Sequence, residues 1–535
     1  MPNRTCSTAL VLGVLVSSPR AAAHPGTAAP PLAGACIVRN HGATGVRAQN
    51  ATAPVQAAID ACHARGGGTV YVPPGEYTTG TLVLKDNVTL WLEAGAVFYL
   101  SQEKADFPAE RAFVFADGAR NIAIRGRGRF DGQARYEWGP PEEQDTEILE
   151  EERLAARAGV DTRRWLRRGL QAMGFVFKRC RDVLIEDVTL VNSTLWNVRL
   201  WGCDGVVLRG VTIESDLERA ANSDGVDIDG SRNVRISDCR IATADDAIVL
   251  KSGRWRWDGR GESYPTENVV VTNCILSSSS TAFMIGTESY SDFRHIVLSN
   301  SVIRDSNKGV GINIQDGATV EDLLVANVTM DLRRRHWNWW GSAEPLYFVL
   351  KKRTAESRLG AIRNVVVKDV VAHAQGTARI LGHAERPLEN VTLSGVQLFM
   401  APESTPDKRA SHGLVAEGVE RLRIRDLEVR WAEDLPEPGW RSAVVIRKAR
   451  DVELSGFVGS SAPNAQEAPA VLMEDVDGAL VQGCRPLPGP FLHVAGHSRA
   501  IHLVGNDFSA TDVPVSYASE DLRGAVALEG NLLPR

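Results

Sequence analysis

The sequence is short of the features that mark several protein classes. Its 8 cysteines include no Cys-x-x-Cys pair, so no thiolate metal cluster is expected. No apolar run approaches the roughly 20 residues that a membrane-spanning helix needs. No long basic run occurs and the formal net charge is -6, which speaks against nucleic acid as a partner. Helical periodicity is almost absent and there is no leucine-rich repeat signature. An all-helical or leucine-rich architecture is therefore not expected.

What is present is a repeat. Asn87-Val-Thr-Leu, Asn121-Ile-Ala-Ile, Asp182-Val-Leu-Ile, Gly205-Val-Val-Leu and Asn233-Val-Arg-Ile share one pattern. It continues at Asn268, His295, Asp322, Asn364 and Asn390, with weaker copies from Arg421, Asp451, Gly478, Ala500 and Gly524. Most copies are followed by a two-residue turn and a second short apolar run. The common spacing, roughly 22–31 residues, is that of a solenoid. Short strands, tight turns and no periodic helix point to an all-β fold, a right-handed parallel β-helix. A large β-sandwich with irregular strands is the alternative, and the regularity of the repeat argues against it. A length of 535 residues would ordinarily suggest several domains. A solenoid instead grows its core by adding coils, so residues 36–535 are expected to form a single domain.

Two stretches in consecutive repeats carry the chemistry: Asn222-Ser223-Asp224-Gly225-Val226-Asp227-Ile228-Asp229 and Ala244-Asp245-Asp246-Ala247-Ile248-Val249-Leu250-Lys251. Apolar residues alternate in each, so one face points inward. Aligning the alternation sets Asp224 level with Asp246 and Asp229 level with Lys251. Strands stacked in consecutive coils lie about 4.8 Å apart, so Asp224, Asp245 and Asp246 should converge on one surface. Carboxylates that close cannot all ionise independently, and at least one pKa should rise. A raised carboxyl beside an ionised one suits acid/base hydrolysis of a glycosidic bond.

Residues 1–23 read as a signal peptide: Arg4, the apolar Ala9 to Val16, then Ala21-Ala22-Ala23. Residues 24–35 read as a linker. A secreted or periplasmic protein is expected, with no membrane segment in the mature form, and a monomer. Pro54 to Ala64 has helical spacing, with Val55, Ala58, Ile59 and Cys62 on one face. A short helix there would cap the N-terminal end of the solenoid. Cys180 with Cys203, and Cys239 with Cys274, occupy matching positions in successive repeats and read as stacked core thiols. Cys36 and Cys62 are the pair open to a disulfide.

Three insertions interrupt the repeat, near 134–171, 254–268 and 333–361. The first is charged and reads as a helical excursion, either a solvated flap or a wall of a cleft. The second carries Trp255, Trp257 and Tyr264, and the third His336, Trp337, Trp339 and Trp340. Exposed indoles are costly in water. These rings are either platforms for the apolar faces of sugars or pins that hold their loops.

By these residues the sequence resembles glycoside hydrolase family 28, the polygalacturonase-like enzymes, from about Cys36 to Leu398. Asn222-Ser223-Asp224-Gly225 is similar to the family's Asn-Thr-Asp-Gly motif and Asp245-Asp246-Ala247-Ile248 to its Asp-Asp motif. Ala57-Ile59-Asp60-Ala61, Gly66 to Pro73 and Asn87 to Ala96 resemble its N-terminal region. The resemblance implies an inverting mechanism. Asp245 would be the general acid, and Asp224 and Asp246 would activate water across a gap of about 6.5–9.5 Å. Two motifs depart. The family's Gly-His-Gly falls at Thr281 to Phe283 and its Arg-Ile-Lys at Gly311-Ile312-Asn313, so the histidine and both basic residues are missing. In the family those cations help bind a uronate carboxylate. Either Lys251, Arg254 or Lys308 takes over, or the sugar at the cleavage point is not galacturonate.

The expected function is a secreted glycoside hydrolase acting on a pectin-like or related polysaccharide or oligosaccharide, with no cofactor and no metal. The candidate substrate-binding residues are Asp227, Asp229, Lys251, Trp255, Trp257 and Glu288, together with Lys308, Asn313, Asp316, Trp337 and Trp340. Gln315 is a further polar strand residue, and Glu288 and Asp316 read equally well as turn residues. Two rivals remain open. One is a polysaccharide lyase, with Asp227 and Asp229 as a thin Ca²⁺ site. The other is a non-catalytic carbohydrate-binding solenoid using its tryptophans. The repeats after Leu398 read as structural extension, with His412, Trp431 and Trp440 as packing or rim residues.

Overall fold

The computed structural model describes residues 33–107, 111–139, 149–254, 261–335 and 340–534. The signal-peptide reading therefore lies outside the described residues, as do Trp255, Trp257, His336, Trp337 and Trp339.

The chain winds into a right-handed parallel β-helix. Each coil lays a strand on the matching strand of the next, always parallel. A 15-stranded sheet runs along one face, from Leu82–Val83 to Val513–Tyr517, and a 25-stranded sheet forms the rest of the wall. The repeated lead residue explains why the sequence folds this way. Asn87, Asn233 and Asn268 have φ of 60°, 57° and 58°, in the left-handed region that Asn and Asp tolerate better than most residues. They turn the corner between two strands. Their side chains also stack: Asn121 donates to Asn87 at 3.0 Å, Asn268 to Asn233 at 3.1 Å and Asn390 to Asn364 at 2.9 Å. The repeat thus supplies both the bend and a polar ladder that fixes the register of one coil on the next.

The inward residues fill the interior. Val226, Ile228, Ile248 and Leu250 are fully buried, and Phe98 stacks on Phe130, with ring centroids 5.2 Å apart. Cys180 and Cys203 are neighbours in the stack, as are Cys239 and Cys274, through the pairings Arg181 with Asp204 and Arg240 with Ile275. All four thiols are free and buried. Cys36 and Cys62 are also free: the possible disulfide is not formed, and Arg65 Nη2 lies 2.6 Å from Cys36 Sγ. Helix α1 (Thr52–Ala64) closes the N-terminal end with Val55, Ala58, Ile59 and Cys62 buried. Among the described residues no helix is long and apolar enough to cross a membrane.

The first insertion differs from a purely helical excursion. It holds an antiparallel hairpin, Arg135–Trp138 with Trp165–Arg168, and helix α2 (Leu149–Arg157) between its arms. Ala155 of α2 is buried, and Val160 and Trp340 pack against it. The first and third insertions therefore meet. A loop from the later coils ties both down. Arg334 pairs with Glu403 at 2.8 Å and Asp407 at 2.9 Å, and Arg409 donates to the Glu151 carbonyl at 3.1 Å. Trp431 and Trp440 pack on each other in the core, with centroids 5.1 Å apart.

Candidate active site

Six successive strands of the 15-stranded sheet carry the site: β1 (Val198–Trp201), β2 (Val226–Asp229), β3 (Ile248–Ser252), β4 (Thr281–Ser289), β5 (Lys308–Ile314) and β6 (Glu344–Leu350). Val226 lies opposite Ile248 and Asp229 opposite Lys251. The same offset sets Asp224 against Asp246, where the Gly225 amide donates to the Asp246 carbonyl at 2.9 Å. Gly225 is required by this close approach, because a Cβ there would lie 2.3 Å from the Ala247 carbonyl oxygen.

Asp224, Asp245 and Asp246 each present a carboxylate oxygen, and the three oxygens lie within 4.8 Å of one another. This is tighter than the gap of about 6.5–9.5 Å that generally admits water between an inverting pair. The two coils hold the cluster rigidly. Asn197 donates to the Asp224 carbonyl through its backbone at 2.8 Å and its side chain at 3.0 Å. Thr243 and Ser278 hydroxyls donate to the Asp245 carbonyl at 2.8 and 2.7 Å. Asp245 Oδ1 accepts from the Asp246 amide and Asp246 Oδ1 from the Thr281 amide, both at 3.0 Å. Asp224 Oδ1 is buried without a hydrogen-bond partner in the protein.

Burial and the neighbouring Asp246 push the Asp245 carboxyl up to about 7. Burial, with Asp245 and Asp227 beside it, drives Asp224 well above the carboxylate range. The cluster therefore retains protons near neutral pH, as crowded carboxylates must. The three carboxylates are also close enough to share a hard cation, and the Lys251 ammonium, 3.9 Å from Asp224, already brings positive charge there.

The cluster lines a cleft whose wall also includes Trp196, Lys251, Met284, Glu288, Lys308 and Trp340. Lys251 donates to Glu288 at 3.2 Å and lies 3.8 Å from Asp227. Burial works against its charge, but Glu288, Asp224 and Asp227 outweigh it and hold the ammonium well above its ordinary range. Burial likewise opposes ionisation of Glu288, and Lys251 overcomes it, leaving that carboxyl low. A bulge puts Glu288 there. Leu250 pairs with Ile285 and Ser252 with Ser289, so three residues of β4 stand opposite the single Lys251. Bulges beside sites re-aim side chains in this way.

Several sequence candidates stand elsewhere. Asp229 is fully buried and pairs with Arg199 at 2.9 Å. Asp227 is fully buried below the cleft, so neither carboxylate forms its wall. Their outward strand face is covered by neighbouring side chains rather than open, which alternation alone does not reveal. Asp316 is held by Arg353 through two hydrogen bonds of 2.8 Å, the structural alternative to a subsite. Asn313 is buried and accepts from Gln315 at 3.2 Å. Arg254 is exposed, with its guanidinium 5.0 Å from the Tyr290 ring centroid. Tyr264 pins its loop against Trp201, ring centroids 6.2 Å apart.

Two residues near the cluster escaped sequence reading. Trp196 sits one coil before Asp224, by the offset that pairs Val198 with Val226, and lies under Lys251 Nζ at 4.8 Å. Stacking the coils in register would have found it. Arg167, on the hairpin, donates to the Thr194 carbonyl at 2.6 Å and to Asn222 Oδ1 at 3.1 Å. Nothing periodic marks it, because it arrives on an insertion.

The comparisons agree with this geometry. Residues 62–411 match the model of Glycosyl hydrolases family 28. A Vitis vinifera protein named "Probable polygalacturonase" is 26% identical over 368 residues, covering 63% of this chain and 68% of that one. The exo-poly-alpha-D-galacturonosidase of Dickeya chrysanthemi is 25% identical over 312 residues, covering 51% of this chain; the chain spans 51% of its length. Among solved structures, the exopolygalacturonase of Thermotoga maritima superposes with a TM-score of 0.60 at 21% identity, covering 74% of this chain and 91% of its own, which shows the shared fold. With more than half its length matched by the family model and an aspartate trio at the floor of the cleft, the chain belongs to Glycosyl hydrolases family 28.

Proposed function

We propose that this protein hydrolyses glycosidic bonds of a pectin-like polysaccharide by an inverting acid/base mechanism. The observation that carries the reading is the convergence of Asp224, Asp245 and Asp246 within 4.8 Å at the cleft floor. Asp245, its carboxyl pushed up to about 7, holds a proton to deliver to the leaving oxygen as the bond to the anomeric carbon breaks. Asp224, with Oδ1 free of protein partners, orients the attacking water, and Asp246 accepts its proton as the water oxygen bonds to the anomeric carbon. Trp340 offers an apolar face to the sugar rings. The polygalacturonase names of the relatives support a pectic substrate. An N-terminal signal sequence fits export to the periplasm or outside the cell, and the mature protein works as a monomer.

The test is sugar release from homogalacturonan, rhamnogalacturonan and neutral polysaccharides, with Asp245→Asn run beside the native protein. Release by the native protein that disappears in the variant supports the reading. Polymer binding by both proteins with no release from any polymer would overturn it, and ultraviolet-absorbing unsaturated products would indicate a lyase.

A further inference from the structure

We propose that the subsite at the cleavage point takes an uncharged sugar unit rather than a uronate, a proposal that rests on the acid/base reading of Asp224, Asp245 and Asp246. Three observations converge on it. First, the positions where the resembling enzymes carry cations are closed to one here. Ala282 is fully buried in the core. At Gly311 any Cβ would lie 2.6 Å from Met284 Sδ and 3.1 Å from Thr281 Cγ2. The thioether of Met284, which lines the cleft, fills the space a side chain at 311 would cross. Asn313 is buried and bonded to Gln315.

Second, the nearest ammonium is already matched. Lys251 has Glu288 at 3.2 Å, Asp227 at 3.8 Å and Asp224 at 3.9 Å. A uronate carboxylate approaching it would have to displace one carboxylate and sit beside the others. Third, the Glu288 carboxylate on the cleft wall is held ionised by Lys251, and the Arg167 guanidinium near Asp224 and Asp245 is engaged by the Thr194 carbonyl and Asn222. Lys308 rests its ammonium 4.7 Å from the Tyr347 ring centroid. Adding another anion to such a wall is opposed by like charge and by the loss of its hydration. An uncharged pyranose meets none of these costs. Its hydroxyls can accept from Lys251 and donate to Glu288, and its apolar face can lie on Met284 and Trp340. The bulge in β4 is what brings Glu288 to this position, so the pair is a built feature of the cleft.

The experiment is calorimetric titration of the Asp245→Asn protein with galacturonic acid trimers and with the same trimers after carboxyl reduction to galactose units. The reduced trimers should bind at least tenfold more tightly. Glu288→Gln in the same background, by releasing Lys251, should shift the ratio at least tenfold toward the acid. Inhibition of the native protein by galacturonate against galactose makes the comparison with no substitution at all. Equal or tighter binding of the acid trimers, or no binding of either, would overturn the proposal, as would a ratio unchanged by Glu288→Gln. Sugar release lost in Asp245→Asn but accompanied by acid preference would sink this inference and leave the hydrolase reading standing. No release from any polymer would sink both.

Discussion

Asp229 and Lys251 stand opposite each other on adjacent coils, yet each turns to a different partner: Asp229 accepts from Arg199 at 2.9 Å, and Lys251 donates to Glu288 at 3.2 Å. One strand position thus becomes a buried ion pair beneath the cleft and the other a cation within it. This division separates the scaffold of the site from its working surface.

The carboxylate spacing makes the stereochemistry informative. With nearest oxygens within 4.8 Å, a direct nucleophile would also be in reach, since retaining pairs lie about 5–5.5 Å apart. We expect inversion, with Asp224 and Asp246 holding the water. Proton NMR of the first product anomer formed decides it. A retained anomer would reassign one of these residues as a nucleophile.

The pH dependence follows from Asp245. As the acid it must be protonated, so kcat/KM should fall about tenfold per pH unit above its pKa, near 7. Asp246 is the neighbouring charge that helps to raise it, so Asp246→Asn should move this limb to lower pH in whatever activity remains. The same shift bears on stability. The folded-state pKa lies above the unfolded one, so the contribution is fully present below about pH 4 and is lost as pH rises through about 7. Asp245→Asn should therefore melt several degrees above the native protein at pH 8 and close to it at pH 4, read by differential scanning calorimetry.

Trp340 joins the cleft to α2 through Ala155 and Val160. Trp340→Ala should raise KM about tenfold, equivalent to about 1.4 kcal/mol, with kcat reduced far less. Steady-state kinetics on the responding polymer checks this. A fall in kcat alone would mean that the indole acts on the transition state and not as a platform.

Arg334 is buried between Glu403 and Asp407. Arg334→Met leaves buried Glu403 short of its cation and Asp407 with Arg409 alone, a change that costs about 3–5 kcal/mol where one partner of a buried pair is removed. Chemical denaturation should show that loss. Because the same loop holds Glu151 through Arg409, activity should fall even where the variant remains folded.

The coil and the aspartate cluster are legible in the residues alone. Parallel stacking adds each repeat at a fixed offset, so the lead residues at Asn87, Asn233 and Asn268 declare the corners. Alternation then sets Asp224 level with Asp246 with no further information. The tertiary structure alone decided what surrounds the cluster. The β4 bulge that swings Glu288 to Lys251, the hairpin that delivers Arg167, and the meeting of α2 with Trp340 have no period to read. Alternation assigns Asp229 to one face of its strand without saying what covers that face. Long-range packing supplies that cover, here through Arg199 one coil earlier. A repeat fixes what recurs; the features that set this cleft apart arise where the repeat is broken, and their positions depend on contacts between residues far apart in the chain.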